Sequence, residues 1–170
     1  VPAPLQAEAY GDFPLPIGRG QTISQPYIVA FMAEALRLQA GERVLEIGAG
    51  CGYAAAVLSR LCSGVCGLEL EGALVERARA TLEELGFGNV RLAQGDGRRG
   101  WPEEAPFDAI LLSCAAPRVP RDLWDQLGTG GRILYPRGRE GDVQELVLAV
   151  ESGRGTRETP LLPVRFVPLR

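Results

Sequence analysis

The sequence holds 170 residues, 46% hydrophobic and 23% charged, the balance of an ordinary globular chain long enough to bury a core. Its formal net charge of -3 argues against a polyanion-binding surface, and no apolar stretch approaches the roughly eighteen residues of a membrane span, so neither nucleic acid nor membrane is expected as a partner. Every basic side chain is arginine and histidine is absent, which excludes Schiff-base chemistry, lysine-cradled phosphate sites and imidazole general bases.

No signal-peptide pattern opens the sequence, and a cytoplasmic location is expected. Cys51, Cys62, Cys66 and Cys114 stand without a Cys-x-x-Cys spacing, so they read as reduced, small apolar residues, and no metal is expected. No linker, repeat or low-complexity segment divides the chain, and one domain over 1–170 follows.

In chain order, Ser24 reads as the N-cap of a helix over 25–38, with Pro26 in its first turn and Gly41 past its end. Ile28, Val29, Phe31, Met32, Ala35 and Leu36 recur at helical spacing and point to core packing. An apolar strand from Val44 then meets the turn Gly48-Ala49-Gly50-Cys51-Gly52 and a helix over 53–61. Glycine opens backbone angles closed to other residues and lets the main chain approach a ligand, while free N–H groups at the helix start favour a negative group.

A second strand over 65–70 contains Glu69 near its end, a helix over 73–85 carries a solvated face of Glu and Arg, and a third strand over 90–93 leads into Gln94-Gly95-Asp96-Gly97. A fourth strand over 107–113, a helix over 121–127 and a fifth strand over 130–135 continue the alternation. The runs 144–150 and 159–167, separated by the polar 151–157, read as an antiparallel hairpin. The expected fold is α/β and Rossmann-like, a mainly parallel twisted sheet with helices on both faces and a C-terminal antiparallel strand pair.

The spacing Glu46-x-Gly48-x-Gly50-x-Gly52 departs from the dinucleotide fingerprint, because its third glycine falls one residue early after the second and an acid ends the strand. S-adenosylmethionine fits better. Its methionine part is a zwitterion, whose ammonium needs an acceptor near Glu46 and Gly48 and whose carboxylate needs the glycine-turn amides. Glu69 lies at the offset from the loop where an acid accepts hydrogen bonds from ribose hydroxyls, and Asp96 with the Gly97 amide would read the amino edge of adenine. Singly, Glu69 is equally a solvated strand-end charge and Asp96 a turn residue. Together, at the carboxyl ends of successive strands, they mark a ligand crevice.

These pieces resemble protein-L-isoaspartate (D-aspartate) O-methyltransferases along almost the whole chain. The resemblance rests on Pro14-Leu15-Pro16-Ile17-Gly18, Gly20-Gln21-Thr22-Ile23-Ser24-Gln25-Pro26-Tyr27, the stretch from Val44 to Tyr53, Gly95-Asp96-Gly97, Ala115-Ala116-Pro117 and Val164-Arg165-Phe166-Val167-Pro168-Leu169. The Thr-Ile-Ser-Gln-Pro piece is specific to the family, whereas many methyltransferases share the glycine loop. The resemblance implies methyl transfer from S-adenosylmethionine to the α-carboxylate of L-isoaspartyl residues in damaged proteins and peptides, with S-adenosylhomocysteine as product and a succinimide as the next species.

By position in the family pattern, Ser24 corresponds to the active-site serine, and Arg19, Gln21 and Thr22 to its covering loop. Glu46, Gly48, Ala49, Gly50, Gly52, Glu69, Leu70, Asp96 and Gly97 correspond to the cofactor site. Residues 1–42 would then form the substrate side and 43–170 the cofactor-binding core of a monomer. The chain departs from the pattern at Arg19, where members carry histidine, and at Cys51, where serine is usual. Members also carry a helical segment ahead of the position of Val1. Three other functions remain open: methylation of an aspartate in one dedicated peptide, methylation of a small molecule, and cofactor binding without repair activity.

Overall fold

Short runs such as Val44-Leu45-Glu46-Ile47 and Ala109-Ile110-Leu111-Leu112 are apolar at successive positions, so they demand burial on both faces of a sheet. The computed structural model, which describes residues 1–152 and 155–170, meets that demand with β3 (Arg43–Ile47), β4 (Gly64–Glu69), β5 (Val90–Gln94), β6 (Phe107–Leu112), β7 (Leu127–Arg137), β8 (Gln144–Ser152) and β9 (Gly155–Val164). They form a seven-stranded sheet in the order β5-β4-β3-β6-β7-β8-β9. Pairing is parallel from β5 through β7 and antiparallel at β7–β8 and β8–β9. The chain reverses its direction of travel across the sheet between β3 and β6, where open α/β sheets carry ligands.

Successive strand residues point to opposite faces. Val44, Ala109, Leu111 and Leu134 face the layer built by α1 (Pro26–Leu36), α2 (Tyr53–Leu58) and α3 (Gly72–Glu84), against Met32, Leu36, Ala55, Leu58 and Ala78. Leu45, Ile47, Ile110, Leu112 and Ile133 face the other side, covered by Leu123 of the short α4 (Arg121–Trp124) with Trp101 and Trp124. Each of these fully buried Leu and Ile side chains contributes about 2 kcal/mol of transfer free energy.

Tertiary contacts move several element ends from their expected places. Helix α1 starts at Pro26 with Gln25 as its N-cap and no side-chain cap bond, so Ser24 is not the cap. The pyrrolidine ring pushes the preceding residue into extended geometry, and Gln25 sits at φ -58, ψ 146. The helix closes at Leu36 because Arg37 turns left-handed and Arg132 of β7 takes the carbonyls of Leu36 and Arg37 while pairing with Glu42 at 2.6 Å. Helix α2 stops at Leu58, with Ser59 Oγ donating to the Ala56 carbonyl instead of prolonging the ladder.

Helix α4 is only four residues long, and β7 begins before Gly130, because Gln126 turns inward to donate to the carbonyls of Arg99 and Asp122. The polar 151–157 segment is mostly strand: Glu151 pairs with Thr156 and Ser152 with Gly155, while residues 153–154 lie outside the described residues. Strand β9 correspondingly starts earlier and ends at Val164 rather than at Val167.

Two short strands, β1 (Leu15–Gly18) and β2 (Gln21–Ile23), form an antiparallel hairpin in place of the expected covering loop. Leu15 and Ile17 are buried and anchor it, and Arg77 of α3 donates to the Ile17 carbonyl at 3.4 Å. At the other end of the chain, the Ala115 amide donates to the Val167 carbonyl at 2.7 Å and the Leu169 amide to the Ala115 carbonyl at 2.8 Å. Hairpin and tail thus converge on the carboxyl ends of β3, β4 and β6.

Candidate active site

The glycine turn is built from Gly48, Gly50 and Gly52 at φ 82, 52 and 81, left-handed angles that favour residues without a Cβ. It binds itself to the neighbouring strand. The Gly48 and Ala49 amides donate to the Leu68 carbonyl at 2.8 and 3.0 Å, and the Gly50 amide donates to Glu69 Oε2 at 2.9 Å. Glu69 Oε1 accepts the Glu71 amide at 3.0 Å, so both oxygens of this buried acid hold backbone donors. The glycine-turn amides expected to meet a ligand carboxylate are therefore largely engaged within the protein.

Glu46, on β3, is 1% exposed. Its Oε1 accepts the Ser113 hydroxyl at 2.8 Å, while Oε2 has no hydrogen-bond partner among the described residues. Burial, the dominant cause, and the neighbouring Glu69 charge push its carboxyl up to about 7; the Ser113 hydroxyl and, more weakly, the Ala55 amide act in the opposite direction. A buried carboxylate oxygen without a partner is costly, and a bound ammonium would satisfy it.

One cavity is lined by this acid, and two more adjoin it at Thr22 and Ser113. A narrow crevice at the strand ends is lined by Gln21, Gly48, Gly50, Glu69, Leu70 and Gly97 together with the tail residues Val167 to Leu169. Beside it, a second small cavity is bounded by Ile17, Ser24, Met32, Glu46, Ala49 and Cys51. An open cleft of about 690 Å³ is lined by Ser24, Gln25, Glu140, Asp142, Arg165 and Phe166. Thr22 and Ser113 line all three, and Ser24 lines the second cavity and the cleft.

The structure thus brings together most residues singled out from sequence: Gln21, Thr22, Ser24, Glu46, Gly48, Ala49, Gly50, Glu69, Leu70 and Gly97. Three are placed elsewhere. Gly52 faces an outer groove, where an added Cβ would meet Leu82 Cδ1 at 3.0 Å, so its role is helix packing. Asp96 turns its carboxylate to Arg98, whose Nε and Nη2 it accepts at 2.9 and 2.8 Å; that pairing holds the acid below its ordinary range. Arg19 stands exposed at the hairpin tip with φ 55, outside the walls of these cavities.

Ser113 was missed because it ends an apolar run like any strand terminus. The signal available was positional, since β6 adjoins β3 across the reversal of strand order and its carboxyl end must face the crevice. Gly97 has a structural reason of its own, as a Cβ there would meet Ile47 Cγ2 at 2.3 Å.

Known proteins agree with this architecture. The chain is 61% identical over 170 residues to protein-L-isoaspartate O-methyltransferase 2 of Anaeromyxobacter sp. (strain Fw109-5), covering all of this chain and 70% of that one. A solved protein-L-isoaspartate O-methyltransferase superposes with a TM-score of 0.84 at 34% identity over 92% of this chain, which spans about half (52%) of that protein. A Plasmodium falciparum structure described as a protein-L-isoaspartate O-methyltransferase, in complex with S-adenosyl-L-homocysteine, gives a TM-score of 0.79 at 28% identity, covering 94% of this chain and 80% of its own. The family model of protein-L-isoaspartate (D-aspartate) O-methyltransferases matches residues 1–170, and the chain belongs to that family of S-adenosylmethionine-dependent methyltransferases.

Proposed function

We propose that the chain transfers a methyl group from S-adenosylmethionine to the α-carboxylate of L-isoaspartyl residues in proteins and peptides, starting their repair through a succinimide. The observation that carries this reading is the placement of Ser24 on the wall between the cavity at Glu46 and the open cleft, where a peptide carboxylate can enter from solvent. The bound cofactor supplies an electrophilic methyl group on a sulfonium.

The residues of the chain bind, orient and exclude water. Glu46 Oε2 accepts the ammonium of the methionine part, Glu69 offers its remaining lone pairs to ribose hydroxyls, and Leu70 and Gly97 line the adenine side. The Ser24 hydroxyl donates to the substrate carboxylate, and Gln21 and Thr22 cover the reacting groups from the hairpin. A carboxylate acceptor is already ionised at neutral pH, so no general base is needed, in keeping with a chain that has no histidine. Rate enhancement then comes from position and from removal of water around the carboxylate.

Asp96 serves by shaping the Gly95-Asp96-Gly97 turn, and Arg19 belongs to the outer rim of the substrate side. Residues 1–42 act as the cover and 43–170 as the cofactor-binding core of a monomeric, cytoplasmic protein whose partners are isoaspartyl proteins and peptides. None of the helices is long and apolar enough to cross a membrane among the described residues.

The test is incubation with methyl-labelled S-adenosylmethionine and paired peptides differing only in an isoaspartyl or a normal aspartyl linkage, over several unrelated sequences. Base-labile label on every isoaspartyl peptide and on no normal one is expected. Label on a single sequence would point to a dedicated peptide target instead. Ser24→Ala should lower turnover about tenfold or more while S-adenosylhomocysteine binding persists; unchanged turnover would remove Ser24 from the site.

A further inference from the structure

Ser113 stands one residue beyond β6, and its position is fixed twice. Its amide donates to the Ile47 carbonyl at 2.8 Å, and its hydroxyl donates to Glu46 Oε1 at 2.8 Å. A serine hydroxyl has a single proton to donate, so this bond commits it to Oε1 and leaves Oε2 as the free buried acceptor. We infer that Ser113 is a positioning residue for the cofactor, holding the Glu46 side chain so that Oε2 faces the ammonium of the methionine part.

The inference rests on the reading of Glu46 as the ammonium acceptor and adds the group that keeps it oriented and ionised. A hydroxyl donor favours the charged form of a carboxyl, whereas burial and a neighbouring acid favour the neutral form. Around Glu46, β4 contributes the Glu69 carboxylate, the glycine loop and β6 end contribute the Cys51 and Cys114 thiols, and α2 contributes the Ala55 amide. Helix α1 contributes Val29 and Met32, which carry no charge. Ser113 is therefore the side-chain donor on this acid among the described residues, and it also walls the crevice, the second cavity and the cleft.

Titration calorimetry with S-adenosylhomocysteine, which keeps the methionine ammonium, tests this between about pH 6 and pH 8.5 on the parent, Ser113→Ala, Ser113→Thr and Glu46→Gln. The parent should gain affinity with rising pH until Glu46 is fully ionised, then level off. Ser113→Ala should reach its plateau at higher pH, binding about tenfold more weakly near pH 6.5 and recovering toward pH 8.5. Ser113→Thr, which restores a hydroxyl, should follow the parent. An Ala variant that binds like the parent overturns the positioning role, and one weakened by a single constant factor at every pH overturns the part of Ser113 in keeping Glu46 ionised. A Glu46→Gln variant that binds like the parent overturns the ammonium-acceptor reading itself, a separate failure. Should Ser113→Ala not fold, judged by its melting transition, Ser113→Gly is read by the same two criteria.

Discussion

The ends of β3 and β4 each carry a buried glutamate, and the two are held in opposite ways. Glu69 has both oxygens on backbone amides, of Gly50 and Glu71, so it is a fixed part of the glycine turn. Glu46 has one oxygen on the Ser113 hydroxyl and one without a hydrogen-bond partner among the described residues. Acids of the same type, on adjacent parallel strands and at similar depth, therefore do different work. A satisfied carboxylate builds the turn, and a half-satisfied one keeps an acceptor that a ligand donor could fill.

The largest way to break the comparison is Glu69→Ala. Each backbone donor to a charged oxygen is worth about 1.5 to 3 kcal/mol, so losing both should loosen the turn and lower S-adenosylhomocysteine affinity about 100-fold or more. A melting temperature and affinity equal to the parent's would mean that the turn stands without Glu69.

Glu46→Gln separates the two acids by pH. The Glu46 carboxyl rises from 4.5 to about 7 on folding, so the folded chain keeps a proton that the unfolded chain releases. With the folded value the higher one, stability falls as pH rises between about 4.5 and about 7, by about 3 kcal/mol in the ligand-free protein. Glu46→Gln should abolish that slope in denaturant titrations at about pH 5 and about pH 7.5, while weakening cofactor binding. A parental slope in the variant would place the titration elsewhere.

Smaller effects test the surroundings. Gly97→Ala forces a Cβ to within 2.3 Å of Ile47 Cγ2, and overpacking of this kind costs about 1 to 3 kcal/mol in urea denaturation. Arg19→Gly relieves a left-handed backbone at φ 55 and should stabilise by about 1 kcal/mol, with little change in cofactor affinity because the residue lies outside the crevice. Loss of cofactor affinity in that variant would bring the hairpin tip into the site.

Much of the crevice at the strand ends was legible because its determinants are local. Glu46, the glycine turn, Glu69 and Gly97 lie at strand ends that hydrophobic periodicity and glycine spacing mark directly. The β1–β2 hairpin was less so. Strands β1 and β2 are only four and three residues long, too short for a period to register, and they exist because Leu15 and Ile17 bury against the core. Ser24 lines the cavity at Glu46 and the open cleft rather than capping the helix, since Pro26 decides where α1 begins.

The sequence by itself determined the alternation of strands and helices, the parallel centre of the sheet, the glycine turn and the family. Those follow from neighbours in the chain, through residue size, periodicity and backbone freedom. Tertiary structure alone decided that the Gly50 amide would meet Glu69, that Glu46 would keep an open oxygen among the described residues, and that Ser113 would stand against Glu46 across 67 residues of chain. Hydrogen-bond partners are selected by distance in space, and the β3–β6 register that brings those two residues together is set by the burial of the whole sheet.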